Sequence, residues 1–284
     1  MKVTDQQDRA RGRWVFAGRW LALVTCITGF TTAVAVTSTG PAFDDPVLRQ
    51  RIEPVLERDP ARAVLYLGRA NDLAKAGKFE AAVDQYRRAA AYDPQNPTIF
   101  INLGYVLDQL GRYEEALAEL QRARELAPDN DAGWLNYGNT LINLNRHEEA
   151  IAALQRCVQL NPRNMQAFIN LAVAYNKLQR FREAAAQFAA AAELEPEILA
   201  HRINQAVALS AAGDLEAALA VYRELIKRAP SFLSAYINAA VLLERLNRPA
   251  EAAALIRAAL EHAPNEPLLR ELLKRLEGAE SSAP

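Results

Sequence analysis

Cysteine, histidine and net charge are the sparsest resources of this chain, and each shortage excludes a class of function. The two cysteines, Cys26 and Cys157, lie far apart in sequence, and Cys26 falls in an apolar run, so they yield neither a disulfide framework nor a thiolate metal site. His147, His201 and His262 have no second histidine, cysteine or carboxylate at a metal-ligand spacing. A formal net charge of −1 gives no electrostatic footprint for nucleic acid. There is no glycine-rich phosphate loop, no G-x-S-x-G and no H-E-x-x-H. Metal, cofactor, catalytic residue and small-molecule substrate are therefore all absent from the expectation. Glu114-Glu115 and Glu148-Glu149 are paired carboxylates, but they open helices, where they complement the positive end of the helix dipole.

Glycine (12) and proline (14) are also few, while 51% of the residues are apolar and 24% charged, a foldable balance that favours helix over strand. The prolines stand on a lattice. Pro60, Pro94, Pro128, Pro162, Pro196, Pro230 and Pro264 are each 34 residues apart. Ala82, Ala116, Ala150, Ala184, Ala218 and Ala252 keep that period, as do Asn102, Asn136, Asn170, Asn204 and Asn238. Internal repetition of this length marks a stack of identical supersecondary units.

One unit, residues 97–130, shows the logic. Phe100, Leu103, Gly104 and Leu107 recur at helical spacing on one face. Gly111 stops that helix, since a left-handed residue costs glycine no Cβ clash. Gly77, Asn145, Gly213 and Asn247 hold the same place and tolerate positive φ; Gln179 is the exception. A second helix with Ala116, Leu120 and Ala123 inside runs to Pro128, which cannot continue it.

A helix–turn–helix of this length resembles the tetratricopeptide repeat. In residues 131–164, Trp134, Gly138, Leu141, Ala150, Leu154 and Pro162 stand at that family's aromatic, small, large, small, large and proline places. The resemblance covers residues 63–266 as six units: 63–96, 97–130, 131–164, 165–198, 199–232 and 233–266. Arg202 replaces an aromatic, Gln205 a leucine and Pro249 the aromatic that opens a second helix. The fold implied is all-α, a right-handed superhelical solenoid of six hairpins. Residues 267–277 should cap it, with Leu268, Leu269, Leu272, Leu273 and Leu276 on the last hairpin, ahead of a disordered tail at 278–284. Residues 37–62 should form a linker and a degenerate half-unit ending at Pro60, with Pro54 bending or breaking its helix.

The N-terminus predicts a membrane-targeting helix. Basic residues dominate positions 1–19, and residues 20–36 run without a charge. Three readings stand. The run is long for a signal peptide and favours an uncleaved anchor; Ala33-Val34-Ala35 offers cleavage after Ala35; and Leu23 to Cys26 faintly resembles a lipoprotein box. The charge asymmetry about the run leaves the N-terminus cytoplasmic and puts the repeats on the non-cytoplasmic, periplasmic side. The signal type and the Ala/Arg-rich composition point to a bacterial envelope.

Asparagine is a mediocre helix former, so five in register need a reason. The family resemblance puts this column on the concave side of the superhelix, away from Leu103 and Leu107. Amides there can donate to and accept from an extended peptide backbone without reading its side chains; the competing reading is packing between units. Ile101, Leu135, Ile169 and Ile203 flank the column, with Gln109, Asn143 and Lys177 one turn on. Asn71 and Asn102 match part of the carboxylate clamp of chaperone-binding relatives, but Gly68 and Ile101 do not complete it. The expected function is a membrane-tethered scaffold that binds protein or extended peptide. The alternatives are a self-assembling structural array and a non-catalytic accessory subunit of an envelope enzyme complex.

Overall fold

The computed structural model describes residues 58–280, which form thirteen α-helices and no strand. Six hairpins follow one another: α1 (Pro60–Lys75) with α2 (Phe79–Tyr92), α3 (Pro97–Gln109) with α4 (Tyr113–Leu126), α5 (Asp131–Asn143) with α6 (His147–Leu160), α7 (Met165–Lys177) with α8 (Phe181–Leu194), α9 (Leu199–Ala211) with α10 (Leu215–Arg228), and α11 (Leu233–Arg245) with α12 (Pro249–His262). A single helix, α13 (Pro267–Glu280), closes the series. Each helix packs on its neighbours in sequence. First helices of successive hairpins also touch, α1 on α3, α3 on α5 and α5 on α7, so first helices share one face.

The turn inside each hairpin ends the first helix in one way. Gly111 has φ 73°, its N–H bonds Asp108 O, and the next N–H, of Arg112, bonds Leu107 O, a Schellman closure. Gln179 was the exception by residue type, yet its φ of 58° equals that of Asn145. The repeat imposes the left-handed turn on a residue that does not favour it.

Small residues let the helices approach. Ala82, Ala116, Ala150, Ala184, Ala218 and Ala252 are all fully buried. Asn96, Asn130 and Asn164 cap the following first helices through their side chains, each accepting from a backbone N–H. Second helices use another device. Arg112, Arg146, Arg180 and Arg248 sit at their N-caps and clasp Glu115, Glu149, Glu183 and Glu251 in the first turn. In the fifth hairpin Asp214 takes the arginine's place and accepts instead from Arg182 of the preceding hairpin at 2.7 Å. The two family departures Arg202 and Gln205 meet each other, Arg202 donating to Gln205 Oε1 at 3.1 Å.

At the start of the described chain, Pro60 does not lie in a loop between units. It is the first residue of α1, capped by Asp59, whose carboxylate accepts from Arg62 N. This first helix is therefore longer than its counterparts, 16 residues against 13 in α3. At the other end Leu269 and Leu276 are fully buried against the last hairpin, and Leu272 nearly so. Leu268 departs from the expected cap and remains 53% exposed. Among the described residues no helix is long and apolar enough to cross a membrane. The targeting segment at 20–36 and the half-unit before residue 58 lie outside the described residues, as do residues 281–284; residues 278–280, expected in a disordered tail, instead continue α13.

Candidate peptide-binding face

The asparagine column occupies the first helices α3, α5, α7, α9 and α11, and the structure divides it. At the start of the array, Asn71 Oδ1 accepts from the Tyr86 hydroxyl at 2.6 Å and from Asn102 Nδ2 at 3.1 Å. Burial raises the Tyr86 pKa, and the Asn102 amide opposes that shift. Asn102 thus ties α3 to α1 and α2. Near the end of the array Tyr222 stands at the same register as Tyr86. Its pKa is likewise raised by burial and eased by the Asn238 amide.

The intervening hairpins carry Leu120, Leu154 and Phe188 at that register and offer no hydroxyl. Among the described residues the side-chain amide of Asn136 is unbonded, and Asn204 is exposed and unbonded. Asn170 is buried to 8% exposure and accepts from Gln166 Nε2 at 2.9 Å. The end asparagines are joints between units; the central ones retain hydrogen-bonding capacity.

The flanking aliphatics do not line an open face as a set. Ile101 is 7% exposed and packs with Phe100 and Ala123, so it belongs to the core. Leu135 and Ile203 are half-buried against core clusters, and Ile169 is half-buried. One turn on, Gln109, Asn143 and Lys177 are exposed. Asn143 is already engaged, its Nδ2 donating to both carboxylate oxygens of the buried Asp108 at 3.1 Å. Three hairpins later Arg245 stands at the same register and donates to Ser210 Oγ at 2.6 Å. Between them Ala211 stands where a donor would, and Asn176 Oδ1 is buried without a partner.

Sequence reasoning missed the column three residues beyond the asparagines. Tyr105, Val207 and Val241 are about half exposed, large apolar side chains on the first helices, with Val173 between them in register. Their shared phase with the asparagines was the available signal. A cavity of about 290 Å³ opens beside them, lined by Val207, Ser210, Tyr222, Asn238, Val241 and Arg245 among others.

Cys157 is fully buried, and burial pushes its thiol up to about 12, with Asp131 adding to the shift, so no thiolate forms near neutrality. Among the described residues no three His, Cys, Asp or Glu side chains gather as a metal site.

The repeat is that of a known family. Two family models, both described as tetratricopeptide repeat, match the chain, one over residues 67–131, 135–197 and 203–267 and the other over 109–157. The chain belongs to the tetratricopeptide repeat family. No curated protein matches the chain. Among solved structures it is similar to a MamA protein, at 18% identity and TM-score 0.56, over 61% of this chain and 94% of that one. MamA from Desulfovibrio magneticus RS-1 aligns at 19% and 0.54, over 60% and 97%. YrrB, described as a TPR protein with an unusual peptide-binding site, aligns at 21% and 0.54, over 66% and 97%. At these identities the likeness is one of fold.

Proposed function

We propose that the array is a scaffold that holds an extended segment of a partner protein along its first-helix face, the concave side of a right-handed superhelix. The observation that carries this reading is the split asparagine column. Asn136 and Asn204, in the third and fifth hairpins, have amides free of side-chain partners, and Asn204 stands one turn before the exposed Val207. An amide offers two donors and an acceptor, which suits a peptide backbone. The peptide-binding site named for YrrB makes the same use of the fold plausible here. The proposal extends to a tether through residues 20–36, with the repeats on the non-cytoplasmic side of a bacterial envelope, where such a scaffold would serve assembly or secretion. That extension rests on the basic flank and the uncharged run in the sequence. No catalytic role is assigned.

Changing Asn136, Asn170 and Asn204 together to alanine tests the face. Each lost hydrogen bond is worth about 0.5–1.5 kcal/mol, so affinity for a bound segment should fall by roughly 2–4 kcal/mol. The melting temperature should hold, because alanine is the better helix former. Unchanged affinity in a well-folded triple variant would move the binding site elsewhere.

A further inference from the structure

The C-terminal half of this face has a charge without a counter-charge. Arg248 is clasped by Glu251 and Glu216, Arg275 by Glu244, Arg223 by Glu251 and Arg228 by Glu197. Arg245, on α11 among these pairs, has no carboxylate partner among the described residues. Its hydrogen bond goes to the Ser210 hydroxyl on α9, which orients the guanidinium but cannot neutralise it. A guanidinium carries five N–H donors, so one bond to Ser210 leaves most of its fork unused. The same cavity presents the exposed faces of Val207 and Val241. A cation between two aliphatic walls is complementary to a carboxylate flanked by aliphatic side chains.

We propose that the trough between α9 and α11 accepts an acidic side chain of an extended partner segment, its carboxylate on Arg245 and neighbouring aliphatic residues on Val207 and Val241. The inference rests on the peptide-binding reading and specifies its ligand. Packed helices lie about 8–10 Å apart, and an extended chain advances about 3.3 Å per residue. The two aliphatic residues therefore stand roughly three places apart, with the acid between them. The Asn204 and Asn238 amides border the path of the backbone. The apolar row continues through Val173 on α7, in register with Val207 and Val241. The segment accordingly passes through the trough, and the carboxylate is that of a side chain rather than of a chain terminus.

The test uses the full-length chain in mild detergent and three fluorescein-labelled peptides, read by anisotropy. The first carries Val-Glu-Ser-Val between Gly-Ser flanks with an amidated C-terminus. The second has Gln for Glu. The third has the Gln and a free C-terminal carboxylate directly after the second Val. The first should bind about tenfold more tightly than the second, equivalent to ~1.4 kcal/mol. Arg245→Gln should erase that preference, and Arg245→Lys should keep part of it. Equal binding of the Glu and Gln peptides overturns the acidic trough and leaves the groove standing. Preference for the third peptide over both others overturns it in favour of a terminal carboxylate. Failure of all three to bind a chain whose circular dichroism is helical overturns this inference and the groove reading with it.

Discussion

Six pairs of side chains, one per hairpin, set how closely the paired helices approach. They are Ala70 with Tyr86, Gly104 with Leu120, Gly138 with Leu154, Ala172 with Phe188, Ala206 with Tyr222 and Ala240 with Ile256. Glycine stands only opposite leucine. A Cβ on Gly104 would lie 2.4 Å from Leu120 Cγ, and one on Gly138 would lie 2.6 Å from Leu154 Cγ. Gly138→Ala gains about 1 kcal/mol of helix propensity but overpacks at a cost of about 1–3 kcal/mol, so a net loss of roughly 1 kcal/mol is expected. Adding Leu154→Ile, the partner that Ala240 accepts, should recover that loss. A urea double-mutant cycle reads the coupling, and strictly additive effects would show that the pairing is incidental. These residue types were visible in the sequence as a column, but the contact between them was not. The tyrosine bonds were equally hidden, because Tyr86 and Asn102 belong to different units and only packing brings them together.

The helices themselves were legible, because prolines and glycines fall where helices must stop. What stayed illegible was how each second helix begins. The arginine-glutamate clasps look like ordinary surface charge until Arg112 Nε is seen 2.7 Å from Glu115 Oε1. The arginines hold the carboxylates of Glu115, Glu149, Glu183 and Glu251 below the usual range, chiefly through these side-chain hydrogen bonds. A depressed folded pKa stabilises the fold above the unfolded carboxylate pKa of about 4.3, and the stabilisation disappears as pH falls through the lower folded value. Melting temperature should therefore fall on acidification below about pH 4. A variant with Gln at all four glutamates should show a shallower acid limb, and an unaltered limb would mean that other carboxylates govern acid unfolding. The clasps lie largely in solvent, so each contributes little on its own.

Among the described residues, α13 turns polar groups outward at its end of the array, and α1 carries exposed apolar groups at the other. On α13 the outward Arg270, Lys274 and Glu277 are exposed, whereas Leu65 on α1 is 51% exposed at a register where Ile99, Ala167 and Ala235 are fully buried. The proposed membrane tether lies in the sequence before residue 58. Placing Arg at both Leu23 and Val24 should block insertion, at about 2.5–3.5 kcal/mol for each charge near the helix centre. Carbonate extraction and protease protection report the outcome, and a doubly substituted chain that still resists both would remove the tether from the proposal. The family was legible from the proline and alanine lattice alone. The proposed site was legible only in part: asparagine spacing pointed to the proposed face, but burial removed Ile101 from it and exposure added Tyr105, Val207 and Val241.

The decisive measurement is photo-crosslinking in cells, with p-benzoylphenylalanine placed either at Asn204 on the first-helix face or at Ala220, an exposed position on α10 of the same hairpin. If the first-helix face holds a partner segment, the Asn204 probe yields a discrete heavier adduct that the Asn136, Asn170 and Asn204 neighbourhood can be mapped against, and the Ala220 probe yields none. Adducts from Ala220 alone would place the partner on the second helices and leave the asparagine column as a packing device.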